Sequence, residues 1–246
     1  MFNLILASAA APNDFGPLYT ETLMGRFPVE PWNTCSNFAF LAIIIYWIRK
    51  TGLNYRRFPL LAAALPILTI GFLGGTIYHA TRGHPLWLIL DFGPILLLTL
   101  LAAFYFWQQL TGKIWLAFIL LLLPPLLVRG IPSAFTALTL HHKIALGYIG
   151  LAFSIILPAL LYCRKLHWRG LTQLCACLIA FALAITARQL DSTSGAALLP
   201  MGSHFLWHLW GALATHLLIS FIYLSNTLAV LRSSPVEPRR QAEQIH

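Results

Sequence analysis

The stretch Gly202-Ser203-His204-Phe205-Leu206-Trp207-His208 places two imidazoles four residues apart, at the start of the last long apolar segment. On a helix, positions i and i+4 lie one turn apart on one face. Two neutral imidazoles so placed can share one zinc ion. Such an ion asks for a third protein ligand and, if catalytic, an open position for water. The zinc-protease helix motif sets a glutamate directly after the first histidine as general base; here that residue is Phe205. A base must therefore come from another segment. Spacing alone fits a pair of interfacial membrane histidines equally well.

Composition states where such a site would sit. The 246 residues are 59% hydrophobic and 9% charged, against roughly a quarter charged in soluble domains. This is the composition of an integral membrane protein. The net charge of +9 comes from Lys and Arg near segment ends, which suits anionic lipid rather than nucleic acid. Cys35, Cys163, Cys175 and Cys177 lie in or beside apolar segments, so a disulfide framework is not expected. The Cys175-Ala-Cys177 pair reads as packing.

Seven apolar stretches, approximately 32–49, 58–80, 86–108, 113–129, 135–163, 170–188 and 203–231, follow a polar N-terminal segment. Most are long enough to cross about 30 Å of hydrocarbon as helix. The expected fold is an all-α integral membrane bundle of seven transmembrane helices forming one domain, 1–246. Residues 1–31 precede the bundle, and 233–246 form a polar, disordered cytoplasmic tail. Pro124-Pro125 should kink the fourth span. Loop charges set the orientation. Arg49, Lys50, Arg56, Arg57, Lys113, Arg164, Lys165, Arg169, Arg232, Arg239 and Arg240 fall on one side; Arg26, Arg82, Arg129, Lys143 and Arg188 fall on the other. Eleven against five puts the first set in the cytoplasm, the N-terminus outside and the C-terminus inside.

On that topology the unusual polar residues gather at one depth near the outer face. Glu30, Asn33 and Asn37 start the first span. His79 ends the second, Asp91 lies early in the third, Arg188 and Asp191 end the sixth, and His204 and His208 open the seventh. Ionisable groups inside a bilayer are costly and normally face a bundle interior or a wet cavity. His79, His204 and His208 would supply three nitrogen ligands to zinc, which lowers the pKa of its water to about 7. Asp91 is the candidate general base and later acid; as a helix N-terminal carboxylate it has an equally good structural reading. Arg188 and Asp191 read as a salt bridge. The chemistry is amide or ester hydrolysis on a membrane lipid.

At these residues the chain resembles the alkaline ceramidase family, within the wider superfamily that includes the progesterone and adipoQ receptors. The matching pieces are Glu30-Pro-Trp-Asn33-Thr-Cys-Ser-Asn37, Gly74-Gly-Thr-Ile-Tyr-His79, Asp91-Phe-Gly-Pro94, Arg188-Gln-Leu-Asp191 and Gly202-Ser-His204-Phe-Leu-Trp-His208. They occur in order across nearly the whole chain. The resemblance implies three histidine ligands to Zn2+, an aspartate acting on the zinc water, and cleavage of ceramide to a sphingoid base and a fatty acid. These roles fall on His79, His204, His208 and Asp91. The family serine one turn before the first histidine, which helps hold the oxyanion, falls on Gly75, which has no hydroxyl; Thr76 or a backbone amide would have to stand in. Some members bind Ca2+ through acidic residues of the N-terminal segment, which fall on Glu30, Glu21 and Asp14, although Glu30 could equally cap the first helix.

His141 and His142 read as interfacial, and His216, below His208, as a core histidine. Two other functions stay open. One is a lipid-responsive receptor with structural zinc on the same scaffold, to which the missing hydroxyl at Gly75 gives weight. The other is a metal or proton transporter, which the one-sided polar cluster disfavours. The short loops and the C-terminal Gln244-Ile245-His246 suggest a bacterial inner membrane, with the site facing away from the cytoplasm.

Overall fold

The computed structural model describes residues 12–134, 140–191 and 194–233. Expectations for 1–11, for the tail beyond 233 and for the side chains of His141 and His142 lie outside the described residues. Within them the chain is helical, with no strand: α1 (Pro31–Ser36), α2 (Phe38–Thr51), α3 (Pro59–Thr81), α4 (Pro85–Thr111), α5 (Ile114–Ala134), α6 (Leu140–Lys165), α7 (Leu171–Leu190), α8 (Ser194–Leu198) and α9 (His204–Ser233). Four of these are long and apolar enough to cross a membrane: α3, α4, α7 and the His204–Ala229 part of α9. They mark the chain as a membrane protein. Large apolar side chains such as Ile70, Leu97, Phe118 and Ile179 face outward, as a lipid surroundings requires.

The helices begin and end where the sequence supplies the chemistry. Prolines open α1, α3 and α4, where the missing N–H costs nothing. Gly52 and Gly112 end α2 and α4 in the left-handed conformation. The first expected span is divided at Asn37. The carbonyl of Asn33, one turn earlier, accepts from Asn37 N at 3.3 Å, from Ser36 Oγ and from His208 Nδ1. An acceptor shared this way holds the helix turn weakly. Helix α5 runs on through Pro124-Pro125 as a single helix.

Close approach of α3 and α4 is written in glycine. A Cβ at Gly74 would lie 2.6 Å from the Leu90 carbonyl carbon, and one at Gly71 would lie 3.2 Å from Pro94 Cβ. The main apolar core lies at the other end of the bundle, around Trp47, Leu61, Leu65, Phe106, Cys163 and Phe221. His216 belongs to this half, accepting from Trp47 Nε1 at 3.2 Å. Cys177 is buried and Cys175 exposed, so their thiols do not share a site.

Residues 12–30 form a strap across the ends of α3 and α9. Val29 and Glu30 donate their N–H groups to the carbonyls of Ala80 and His79 at 2.9 and 3.1 Å, filling acceptors that the end of α3 leaves open. Arg82, at the C-cap of α3, is fully buried. Its Nε and Nη2 donate to the two Asp14 oxygens at 2.6 and 3.0 Å, and its Nη1 donates to Glu30. Arg82 was expected as an outer-loop charge; it is instead an internal cation, neutralised by the strap.

Burial acts to raise the Asp14 pKa, but the hydrogen bonds from Arg82 and Gly16 and the charge of Arg82 outweigh it, and the carboxyl sits below its ordinary 3.8. A carboxylate with a depressed folded pKa contributes stability that is present above its unfolded pKa and lost as pH falls through the folded one. Asp14→Asn should therefore lower the Tm of the detergent-solubilised protein at neutral pH, by an amount equivalent to about 3 kcal/mol for a broken buried pair. The gap between parent and variant should narrow only below pH 3.8.

Candidate metal centre

His79 on α3 and His204 and His208 on α9 meet beneath the strap, all three buried. One ring nitrogen from each lies within 4.8 Å of the other two. A tetrahedral ion with nitrogens at about 2.0–2.1 Å would set them roughly 3.4 Å apart, so modest inward ring movement closes the site. The rings are held from behind. His79 Nδ1 meets Glu30 Oε2 at 2.5 Å, leaving Nε2 buried and without a partner. His208 Nδ1 faces the Asn33 carbonyl at 3.0 Å and Ser36 Oγ at 2.8 Å, so Nε2 is its remaining donor to an ion. His204 Nδ1 is buried with no partner. A carboxylate or carbonyl on the far nitrogen is the usual support for a metal-ligating histidine. Buried imidazole nitrogens without a hydrogen-bond partner among the described residues, in three rings that cluster this closely, are what an ion would satisfy. The residues fit a metal ion.

Each support residue is placed by a helix end. Asp191 Oδ1 accepts from the N–H groups of Ser203 and His204 at 2.7 and 2.8 Å, capping α9 from outside it. Its Oδ2 accepts from Thr20 N at 2.9 Å, which brings Tyr19 over His204 with ring centroids 3.7 Å apart. Gly202 is required at this corner: its φ is +75°, and a Cβ would strike Thr20 and Asp191. The expected Arg188–Asp191 salt bridge is replaced. Asp191 is engaged with backbone N–H groups, and Arg188 lies 5.4 Å from the Trp207 ring centre.

Asp91 comes from α4 and lies against Gly75, one turn before His79 on the same face of α3. A Cβ at Gly75 would collide with the Asp91 carboxylate and lie 2.5 Å from Asn37 Nδ2. No hydrogen bond to Asp91 is formed among the described residues, whereas the other four carboxylates there are all engaged. Thr76 Oγ1 is buried and unpartnered nearby in sequence.

Calcium does not fit. It needs six to eight oxygen ligands. Asp14 and Glu30 instead hold the Arg82 guanidinium, and Glu21 accepts from Trp32 N and Asn33 N at 2.9 and 2.6 Å. Glu21, not Glu30, thus caps α1. Burial raises the Glu21 pKa, and these two hydrogen bonds only partly offset it. The expectation counted carboxylates in the strap and missed the arginine that neutralises two of them.

Sequence reading brought together His79, His204, His208, Asp91, Glu30, Asn33, Asn37 and Asp191. It missed Tyr19, Ser36 and Arg82 as parts of the site. Ser36 was within reach, lying in the same motif as Asn33. Tyr19 carried no spacing signal. No known family model matches the chain, and comparison with curated proteins gives no match.

Glu30→Gln should lower the Tm, because it removes one of the two charges that neutralise buried Arg82, and in the protein that stays folded weaken zinc affinity about 10–100-fold through the loss of carboxylate support to His79. Competition with a chromogenic chelator measures this.

Proposed function

We propose that this protein is an intramembrane zinc-dependent amide hydrolase, acting on ceramide or a ceramide-like lipid in the manner of the alkaline ceramidases it resembles. The observation that carries the reading is the buried His79, His204 and His208 cluster with the uncommitted Asp91 carboxylate one helix turn away. In this reading α2, α5 and α6 join the four apolar helices as a seven-span bundle, with the site toward the non-cytoplasmic face.

When bound, zinc supplies Lewis-acid polarisation of a carbonyl and water acidic enough to ionise near neutral pH. His79, His204 and His208 hold it, and Glu30 and the Asn33 carbonyl orient the first and last of these rings. Asp91 takes the proton of the attacking water as its oxygen bonds to the amide carbonyl carbon. The same carboxyl returns the proton to the nitrogen as the C–N bond breaks. One amide and one water give one fatty acid and one sphingoid amine.

A lipid substrate is supported by the interior. A cavity of about 190 Å³ lies between α2, α3, α4, α6, α7 and α9, is lined almost wholly by apolar side chains, and has Trp207 and Gly211, on either side of His208 in sequence, in its wall. Its α9 lining continues to Ile222, about 22 Å along the helix at 1.5 Å per residue. In this reading the apolar lining houses the acyl chain of the lipid.

Asp91→Asn should retain zinc but slow fatty-acid release from labelled ceramide by about 10²–10⁴-fold. Zinc without release of fatty acid from any amide lipid in the parent, together with saturable lipid binding, would favour the receptor reading instead.

A further inference from the structure

A hydrogen-bond donor aimed at the carbonyl oxygen as it gains negative charge would add to the polarisation zinc supplies, and Gly75 offers no side chain to supply one. The space that a side chain at Gly75 would fill is taken. Asn37 Nδ2 lies 2.5 Å from where the Cβ would be, and the Asp91 carboxylate reaches the same point. Asn37 is 3% exposed, and its Nδ2 is buried with no hydrogen-bond partner among the described residues. Buried amide donors are rarely left unpaired without a reason. The amide nitrogen, not its oxygen, is the Asn37 atom closest to that point. Asn37 falls at the junction of α1 and α2 with helical backbone angles, and its Nδ2 reaches the point where Gly75 of α3 meets Asp91 of α4.

We infer that Asn37 is a further catalytic residue, whose Nδ2 donates to the substrate oxygen that becomes the oxyanion, in the place where Gly75 lacks a hydroxyl. This rests on the amidase reading. No covalent bond to Asn37 forms or breaks; one hydrogen bond is gained as the carbonyl oxygen takes up charge and is released with the product. Thr76 Oγ1 is also buried and unpartnered, so it is the competing donor. Asn37 is favoured because it shares its position with Asp91, the group that activates the attacking water.

The test uses the full-length, zinc-loaded protein in detergent and two readouts. One is binding of palmitoyl hydroxamate, a metal-directed mimic of the reacting carbonyl, by titration calorimetry. The other is release of fatty acid from labelled ceramide. Asn37→Ala should bind the hydroxamate at least about 10-fold more weakly and lose about 10²-fold in kcat with KM little changed, at parent zinc content. Gly75→Ser should disturb the parent, where the serine collides with Asn37 and Asp91, yet restore binding in the Asn37→Ala background. Thr76→Val should bind like the parent. Asn37→Leu, which keeps the volume and removes the donor, repeats the measurement should the alanine variant unfold. Parent-like hydroxamate binding by Asn37→Ala, a loss with Thr76→Val instead, or loss of zinc in both Asn37 variants would overturn the inference. Asn37-dependent hydroxamate binding without ceramide cleavage would sink the amidase reading and keep the donor. Cleavage unaffected by Asn37→Ala would do the reverse.

Discussion

The site depends on how one buried carboxylate is shared. Glu30 accepts from Thr22 Oγ1 at 2.6 Å, from Asn33 Nδ2 at 3.2 Å and from Arg82, and faces His79 Nδ1 at 2.5 Å. Those four groups belong to the strap, to α1, to the end of α3 and to the metal cluster. A fully buried ion is tolerable only when its remaining lone pairs are satisfied and its charge is matched. Arg82 provides the match and is itself matched by Asp14, so strap, helix end and histidine form one electrostatic unit. Polar links, not apolar burial, hold much of the strap in place, for Phe15, Leu18 and Phe27 on it face outward.

The same economy runs through the other carboxylates. Glu21 and Asp191 each accept from two successive N–H groups at the start of a helix, α1 and α9 respectively. In each case the cap comes from outside the helix, 11 to 13 residues earlier in the chain. These links fix the rotation of the two helices that bring Asn33 and the paired histidines together, and helix dipoles favour negative charge there. Asp91 stands apart from this pattern: it packs against Gly75 and makes no hydrogen bond among the described residues, which in the proposed hydrolase leaves its carboxylate free for proton transfer.

Much of the site could be read from the sequence because helix periodicity and span alternation are strong constraints. His204 and His208 are one turn apart, and counting spans brings His79 and Asp91 to the same end. What the sequence hid was long-range pairing. Arg82 finds Asp14 across 68 residues, and Thr20 finds Asp191 across 171; no local period announces either. Arg82 therefore counted as a loop charge, and Asp14, Glu21 and Glu30 as cation ligands, when each already had a partner. Gly75 is the reverse case. In sequence it reads as a missing hydroxyl; in space it is the gap that admits Asn37 and Asp91.

The central claim is that the three histidines hold one metal ion with a position left open. Zinc K-edge X-ray absorption on protein purified without chelators tests it most directly. The spectrum should show one zinc per chain, with three imidazole nitrogens and one further oxygen at about 2.0–2.1 Å. A sulfur shell at about 2.3 Å, or protein that retains its fold and excludes zinc, would contradict it.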